Sequence, residues 1–121
     1  MHKTLTSDNE IQLYLKKDCS KSKKALAYAK SHSSKVNPID INRTKGTGTI
    51  WRSILNKLDK KPKDLFDKSN PYYQENIRGR DFEARDWTNL LLNNPELVRS
   101  PIAIKGDKAV ILDNPTDIFK L

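Results

Sequence analysis

The one cysteine of the chain, Cys19, lies in a lysine-rich segment between two apolar stretches. Residues 11–15 before it read as a strand, and residues 25–29 after it read as a helix. A thiol at a strand-to-helix junction meets unpaired backbone N–H groups and the positive end of the helix dipole, which favour the thiolate. The neighbouring lysines act in the same direction, and Asp18 acts against them. The pattern predicts a redox or nucleophilic cysteine.

The residues alone are consistent with three roles of Cys19. A reactive monothiol forms mixed disulfides with glutathione or a protein, because the Cys-x-x-Ser pattern that ends at Ser22 has no second cysteine to resolve them. As a regulatory thiol, Cys19 modulates a protein contact. As an inert remnant, it has no chemical role and is only a small residue at the start of the helix. In the first role Ser22 donates a hydrogen bond to the sulfur; in the others it caps or packs the helix.

The composition indicates a compact cytoplasmic protein. The 121 residues are 36% hydrophobic and 31% charged, which is enough apolar material for one core. No apolar run is long enough to cross a membrane, and the first ten residues lack the apolar centre of a secretion signal. One cysteine and two separated histidines, His2 and His32, provide no metal cluster. We expect no bound cofactor, with glutathione or another thiol as the reductant.

The positive charge is concentrated in the half of the chain that holds Cys19. Residues 1–60 contain 13 Lys and Arg against 5 Asp and Glu, whereas residues 61–121 contain 10 of each. This asymmetry favours an anionic partner such as an oxyanion, glutathione or an acidic protein surface; the alternative is a solvated lysine-rich surface. Nucleic acid is disfavoured because no basic and aromatic stripe is visible in the sequence.

The order of elements predicts an α/β fold. Strand 11–15 is followed by a helix capped by Ser20 or Asp18, and then by a strand over 36–41 that Pro38 assigns to a sheet edge. Further predicted elements are a helix over 50–58, a short helix from Pro62, an irregular segment over 67–81, a helix over 86–92, a hairpin of 102–104 with 109–112, and a short helix over 116–119. This order, βαβ, helices, ββα, predicts a thioredoxin-like mixed four-stranded sheet.

Three segments together resemble the arsenate reductase and Spx-type family. They are Cys-Ser-Lys-Ser-Lys-Lys-Ala-Leu at 19–26, Lys-Asp-Leu-Phe at 63–66, and Asn-Pro-Glu-Leu-Val-Arg-Ser-Pro-Ile-Ala-Ile at 94–104. The resemblance extends from about residue 11 to about residue 119. It implies a single thioredoxin-like domain over 1–121, of a type found in bacteria, with a helical insertion at about 43–98. It also places Pro101 at the family's cis-proline, beside the cysteine.

The resemblance also shows that the family's oxyanion-binding arginines are missing. Their positions hold Asp67, Ser100 and the segment 109–112, which contains no arginine. Because guanidinium groups bind oxyanions through paired, charge-assisted hydrogen bonds, efficient arsenate reduction is not expected. The remaining candidates for anion binding are Lys21, Lys23, Lys68 and Arg99. Arg99 is one residue out of place, which on a strand turns its side chain to the opposite face.

Two functions follow from these observations and from the resemblance. The first is a thiol oxidoreductase that uses Cys19 as nucleophile, supported by Ser20, Ser22 and Pro101, with a small thiol or oxyanion as substrate. The second is a non-catalytic, Spx-like regulatory module that binds a protein such as RNA polymerase through its basic half.

Overall fold

The computed structural model describes residues 10–17 and 19–121, which form two compact units. The sheet unit comprises the described residues up to Asp40 together with residues 100–121, and the helical unit comprises Ile41–Arg99. The strands are β1 (Ile11–Leu15), β2 (Val36–Asp40), β3 (Ile102–Lys105) and β4 (Lys108–Ile111). The α-helices are α1 (Ser20–His32), α2 (Gly48–Leu58), α3 (Pro71–Asn76) and α4 (Ala84–Asn93). Short 3₁₀ turns cover Ile41–Thr44, Pro62–Leu65, Pro95–Leu97 and Pro115–Lys120.

The sheet unit contains the mixed four-stranded sheet that the sequence predicts, with the strand order β2-β1-β3-β4. β1 and β2 are parallel, and α1 connects them as a crossover helix. β3 runs antiparallel to β1, and β4 returns beside β3 as a hairpin. Because β2 lies at the edge, Pro38 can occupy it without removing a hydrogen bond from an inner strand pair.

The core of the sheet unit forms where α1 packs against β1. Ile11 and Leu13 alternate along β1 and are fully buried. Ala25 and Ala29, one turn apart on α1, are also fully buried, and their small side chains allow the helix to approach the sheet closely. Ile118, from the closing 3₁₀ turn, completes this core. β1 is therefore held by the neighbouring strands β2 and β3 and by the packing of its side chains. The chain continues from the end of β1 to Cys19.

The helical unit has a core rich in aromatic side chains. The ring of Phe66 lies 5.6 Å from that of Trp87 and 6.1 Å from that of Tyr73 between centroids. Phe82 meets Trp87 edge to face at 4.9 Å. Trp51 and Trp87 are buried, as the helical periodicity predicts. No helix in the described part of the chain has the length and apolar character needed to span a bilayer.

A buried hydroxyl links two elements of the helical unit and gives a stability prediction. Thr44 Oγ1 donates to the carbonyl of Ile41 at 2.6 Å and accepts from the indole N–H of Trp51 at 2.9 Å. We expect Thr44→Val to cost about 1–3 kcal/mol in urea unfolding, because it leaves both buried partners unpaired. The exposed Thr49→Val is the matched control, and an equal effect of the two changes would contradict this role for Thr44.

Two local predictions were wrong. Residues 67–81 are not wholly irregular, because they contain α3. Its start is encoded by Asn70, whose side-chain oxygen accepts from the N–H groups of Tyr72 and Tyr73, and by Pro71 at the first helical position. The cap of α1 is also not Ser20, which is the first helical residue. The predictions for Asp18 and His2 lie outside the described residues.

Candidate functional site

Cys19 is the N-cap residue of α1. Its backbone is extended, with φ −108° and ψ 123°, and α1 begins at the next residue. Its carbonyl oxygen accepts the first helical hydrogen bond, from the N–H of Lys23 at 3.0 Å. The parallel β1-α1-β2 connection determines this position, because the chain must turn from the end of β1 into the crossover helix. The side chain is half-buried and the thiol is free.

The first turn of α1 presents an electropositive environment to the sulfur. The first N–H groups of any helix have no partner within the helix, and the first turn of α1 contains no acidic residue. The Cys19 side chain makes no capping hydrogen bond of the kind a serine or aspartate oxygen makes. The N–H groups of this turn nonetheless favour the thiolate, because their dipoles point toward the sulfur end of the helix.

Several groups compete to set the pKa of Cys19. Partial burial raises it by disfavouring the charged form. The backbone N–H and the hydroxyl of Ser22, the N–H of Lys21 and the positive charge of Lys16 all lower it. The lowering effects outweigh burial, so that the pKa of Cys19 lies below the value of an ordinary thiol. A larger thiolate fraction at neutral pH follows, and the thiolate is the nucleophilic form.

Ser22 connects the thiol to the strand that precedes it. Its side chain is buried, and its Oγ accepts a hydrogen bond from the backbone N–H of Lys16 at 3.2 Å. A hydroxyl that accepts one bond still has its own proton to donate, and the Ser22 hydroxyl lowers the pKa of Cys19. The bond from Lys16 orients the hydroxyl. The exposed hydroxyl of Ser20 is not among the described groups that lower this pKa.

An open groove of about 270 Å³ lies at the carboxyl ends of β1 and β2. It is lined by Leu15, Lys16, Lys17, Pro38, Ile39 and Asp40. The carboxyl ends of neighbouring parallel strands are where open α/β sheets place their ligands. Lys16 belongs to both features, since it lines the groove and its charge lowers the pKa of Cys19. Lys16 therefore links the groove to the surroundings of the thiol, and together they make up the candidate site.

Pro101 lies at the same end of the sheet. The Ser100–Pro101 peptide bond is cis, which the sequence alone could not show. The pairing of β1 with β3 ends where Tyr14 faces Ile102, so the buried residue just before Ile102 lies beside the carboxyl end of β1. The chain leaves that same end of β1 toward Cys19. The supporting role of Pro101 stays a prediction.

The predicted anion-binding residues divide between the two units. Lys21 and Lys23 are exposed on the first turn of α1 in the sheet unit, whereas Lys68 and Arg99 belong to the helical unit. Arg99 is half-buried, and its backbone N–H donates to the carbonyl of Leu65 at 2.7 Å. Anion binding by these four residues stays a prediction.

Asp67, which the family resemblance places at the position of an oxyanion-binding arginine, has a local structural role. Its carboxylate accepts hydrogen bonds from the backbone N–H of Ser69 at 3.0 Å and from the hydroxyl of Ser69 at 2.6 Å. Aspartate favours such turns because its short side chain can reach the backbone two residues ahead. The residue therefore shapes the turn that leads to α3.

Two parts of the site were missed by sequence reasoning. The groove depends on Pro38, Ile39 and Asp40, which are about twenty residues from Cys19 in the sequence and become neighbours of β1 only through strand pairing. The hydrogen bond from Lys16 to Ser22 crosses the strand-to-helix junction, and no sequence pattern encodes it. Within residues 10–17 and 19–121, no group of three His, Cys, Asp or Glu side chains is placed to hold a metal ion.

The fold and the site together define a thioredoxin-like protein with one thiol at the start of its first helix. The ArsC family matches residues 14–121, and the chain belongs to this family. This confirms the predicted membership of the arsenate reductase and Spx-type group. Among curated proteins, the regulatory protein MgsR of Bacillus subtilis (strain 168) is 23% identical over 115 residues, which cover 94% of this chain and 91% of MgsR.

Solved structures share the fold at low sequence identity. A candidate arsenate reductase from Yersinia pestis superposes with a TM-score of 0.83 at 20% identity, covering 93% of this chain and all of that one. Arsenate reductase from Vibrio cholerae superposes with a TM-score of 0.78 at 16% identity, covering 92% of this chain and 96% of that one. At such identities the likeness establishes the fold, and function must be argued from the site.

Proposed function

We propose that the chain is a thiol oxidoreductase of the ArsC family that uses Cys19 as its only redox-active sulfur. The observation that supports this most directly is the lowered pKa of Cys19 in a half-exposed position. Low-pKa, partly exposed cysteines beside positive charge are the reactive ones, whereas structural cysteines are fully buried in apolar surroundings. The adjoining groove offers space for the substrate.

The proposed reaction is thiol–disulfide exchange. The Cys19 thiolate attacks one sulfur of a substrate disulfide, a new bond forms between the two sulfurs, the old disulfide bond breaks, and the other substrate sulfur leaves as a thiolate. The chain has no second cysteine to resolve the mixed disulfide. An external thiol of the glutathione class must therefore attack it, forming a new disulfide and releasing Cys19 as the thiolate.

Arsenate is not the proposed substrate. Reduction of a multiply charged oxyanion needs donors that hold it against the nucleophile, and guanidinium groups provide them in pairs. Asp67 and Ser100 stand at two of the family's arginine positions, and β4 with the residue after it provides none. Lysines such as Lys21 and Lys23 attract an anion as point charges but do not fix its orientation.

A test of the proposed function uses glutathione disulfide as the probe. The reduced protein, incubated with glutathione disulfide at neutral pH, should gain the mass of one glutathionyl group and release one equivalent of glutathione thiol. Added reduced glutathione should then return the protein to its original mass. If the folded protein reacted no faster than the same chain unfolded in urea, the proposed function would be wrong, because the fold would give the thiol no advantage.

Ser22→Ala is predicted to slow the reaction without removing the nucleophile. The variant deletes a hydrogen bond to a partly exposed thiolate, which contributes about 0.5–1.5 kcal/mol, so alkylation at neutral pH should slow by about 2–10-fold. The pH midpoint of alkylation should rise. Ser20→Ala is the matched control, because that hydroxyl is exposed and is not among the described groups that lower the pKa of Cys19. Equal rates for the two variants would contradict the role of Ser22.

A second candidate function is a regulatory protein-binding module. It is supported by the match to MgsR, a regulatory protein, over most of both chains. It is also supported by the charge of α1, which contains four lysines and no acidic residue. In this function Cys19 is dispensable for binding, unless its oxidation controls the contact. A Cys19→Ser chain separates the two functions.

A further inference from the structure

An aromatic cluster faces solvent on one flank of α1. The ring of Tyr28 lies 5.7 Å from that of Phe119, which comes from the closing 3₁₀ turn, and His32 meets Phe119 edge to face at 5.4 Å. Phe119 is 47% exposed and Tyr28 is 36% exposed. Rings that pack against one another while remaining open to water form a contiguous apolar patch, and such patches mark interaction sites.

Positive charge lies next to this cluster on the same flank of α1. Lys24 and Tyr28 are four residues apart, as are Tyr28 and His32, so these side chains are successive neighbours along the helix surface. Lys21, three residues before Lys24, extends the line toward Cys19. In the part of the chain that the structure describes, neither of the two lysines forms an ion pair. We call Lys24, Tyr28, His32 and Phe119 the aromatic strip.

The geometry points to the aromatic strip as the docking surface for an acidic, apolar segment of a protein substrate, whose disulfide then meets Cys19. This inference rests on the proposed thiol chemistry. With a rise of 1.5 Å per helical residue, Tyr28 is about 14 Å from Cys19 along the helix axis, and nine residues place the two Cα atoms on opposite sides of α1. A segment of about ten extended residues is long enough to pass over the first turn and reach the sulfur. Apolar side chains of the segment would contact Tyr28 and Phe119, and its carboxylates would pair with Lys24 and Lys21.

Charge and ring geometry select this occupant over two others. A second copy of the chain would bring lysine-rich helices together, because α1 carries no acidic residue to pair with them. Stacking of nucleic-acid bases needs an open flat ring face, but Tyr28 and Phe119 lean on one another at 51°. An acidic peptide with apolar side chains can pair its carboxylates with the lysines and pack its apolar side chains against the inclined rings.

The test uses two synthetic peptides that differ only in charge. Each has an N-terminal cysteine joined by a disulfide to thionitrobenzoate, followed by ten residues that alternate Leu with Glu in one peptide and Leu with Lys in the other. Attack by Cys19 forms the protein–peptide disulfide and releases coloured thionitrobenzoate. We expect the glutamate peptide to react about 5–10-fold faster at low salt, since a few charge pairs and ring contacts contribute about 1 kcal/mol or more.

Variants locate the effect on the strip. Each rate is divided by the rate of the same variant with the small uncharged disulfide 4,4′-dithiodipyridine, which reports thiol reactivity without an electrostatic contribution from the reagent. Lys24→Glu and the double change Tyr28→Ala with Phe119→Ala should each abolish most of the preference for the glutamate peptide. Lys30→Glu is the matched control, because Lys30 is exposed two residues after Tyr28 and faces nearly the opposite direction.

The outcomes separate this inference from the proposed function. Equal loss of preference in Lys24→Glu and Lys30→Glu, or no preference in the unmodified chain, would overturn docking at the strip. Slow reaction of the unmodified chain with 4,4′-dithiodipyridine would instead count against the thiol chemistry. Docking is then measured directly, by fluorescence anisotropy of a labelled, cysteine-free glutamate peptide with the Cys19→Ser chain. Binding that Lys24→Glu weakens supports the strip; binding that it leaves unchanged, or tighter binding of labelled oligothymidine, contradicts it.

Discussion

Replacing Cys19 with serine is expected to abolish disulfide exchange, with a loss of about three orders of magnitude or more. A serine hydroxyl is not ionised at neutral pH and has no adjacent base in the described site, so the dipoles that stabilise a thiolate have no charge to act on. The measurement is the rate of mixed-disulfide formation with glutathione disulfide, followed by mass spectrometry. Circular dichroism and urea unfolding of the variant verify that the fold is intact.

The same variant decides between the two candidate functions. If the chain is an oxidoreductase, Cys19→Ser removes its activity completely. If it is a binding module, the variant retains its partner contact, because the lysines and aromatic rings of α1 are unchanged. Residual exchange by the Cys19→Ser chain would contradict the proposal, since the chain contains no other sulfur able to form a disulfide.

Leu13→Ala is expected to destabilise the protein by about 2–5 kcal/mol, the usual range for removing a fully buried leucine side chain. Leu13 lies on β1, which is flanked by strands on both sides, and its side chain has no exposed surface. The loss combines reduced apolar burial with the cavity left among α1 and the closing turn. Urea unfolding with a constant m-value would measure it.

Leu121→Ala is the matched control for this core prediction. Leu121 is half-buried and packs against the edge of the same cluster, so that water can fill part of the space it vacates. We expect Leu121→Ala to lower the free energy of unfolding by well under half as much as Leu13→Ala does. If the two variants were equally stable, β1 would not be the centre of the core, and the placement of Cys19 after β1 would lose its structural basis.

The sequence was sufficient to predict the sheet because the relevant signals are local. Alternating apolar residues identify β1, and the turn at Lys105-Gly106-Asp107-Lys108 identifies the hairpin. Pro38 correctly indicated an edge strand, since a residue without an N–H is tolerated there. The position of Cys19 at the start of α1 followed from the change between strand and helix periodicity.

The surroundings of the thiol could not be predicted, because they depend on contacts between distant residues. The groove combines the ends of β1 and β2, and the aromatic strip combines α1 with Phe119, about ninety residues along the chain from Tyr28. A search for basic and aromatic residues in one sequence segment therefore does not find this strip. α3 was missed for a different reason, because its cap signal, Asn70-Pro71, lies inside a polar segment typical of loops.

The lowered pKa of Cys19 also links the site to stability. Because the folded chain binds the thiol proton more weakly than the unfolded chain, the stabilisation from the Cys19 thiolate is fully present above the pKa of the unfolded thiol. It is lost as the pH falls through the lower, folded pKa. The fold and the Cys19 thiolate are therefore stabilised by the same interactions, in particular those of Ser22 and the first N–H groups of α1.

The most direct test of this account is the ionisation of the one thiol in folded and in urea-unfolded protein. The thiolate absorbance in the ultraviolet is followed against pH, with the Cys19→Ser chain subtracted as the blank. The account predicts a lower midpoint for the folded protein than for the unfolded protein. A folded midpoint equal to or above the unfolded one would contradict it, because the start of α1 would then provide no stabilisation of the thiolate.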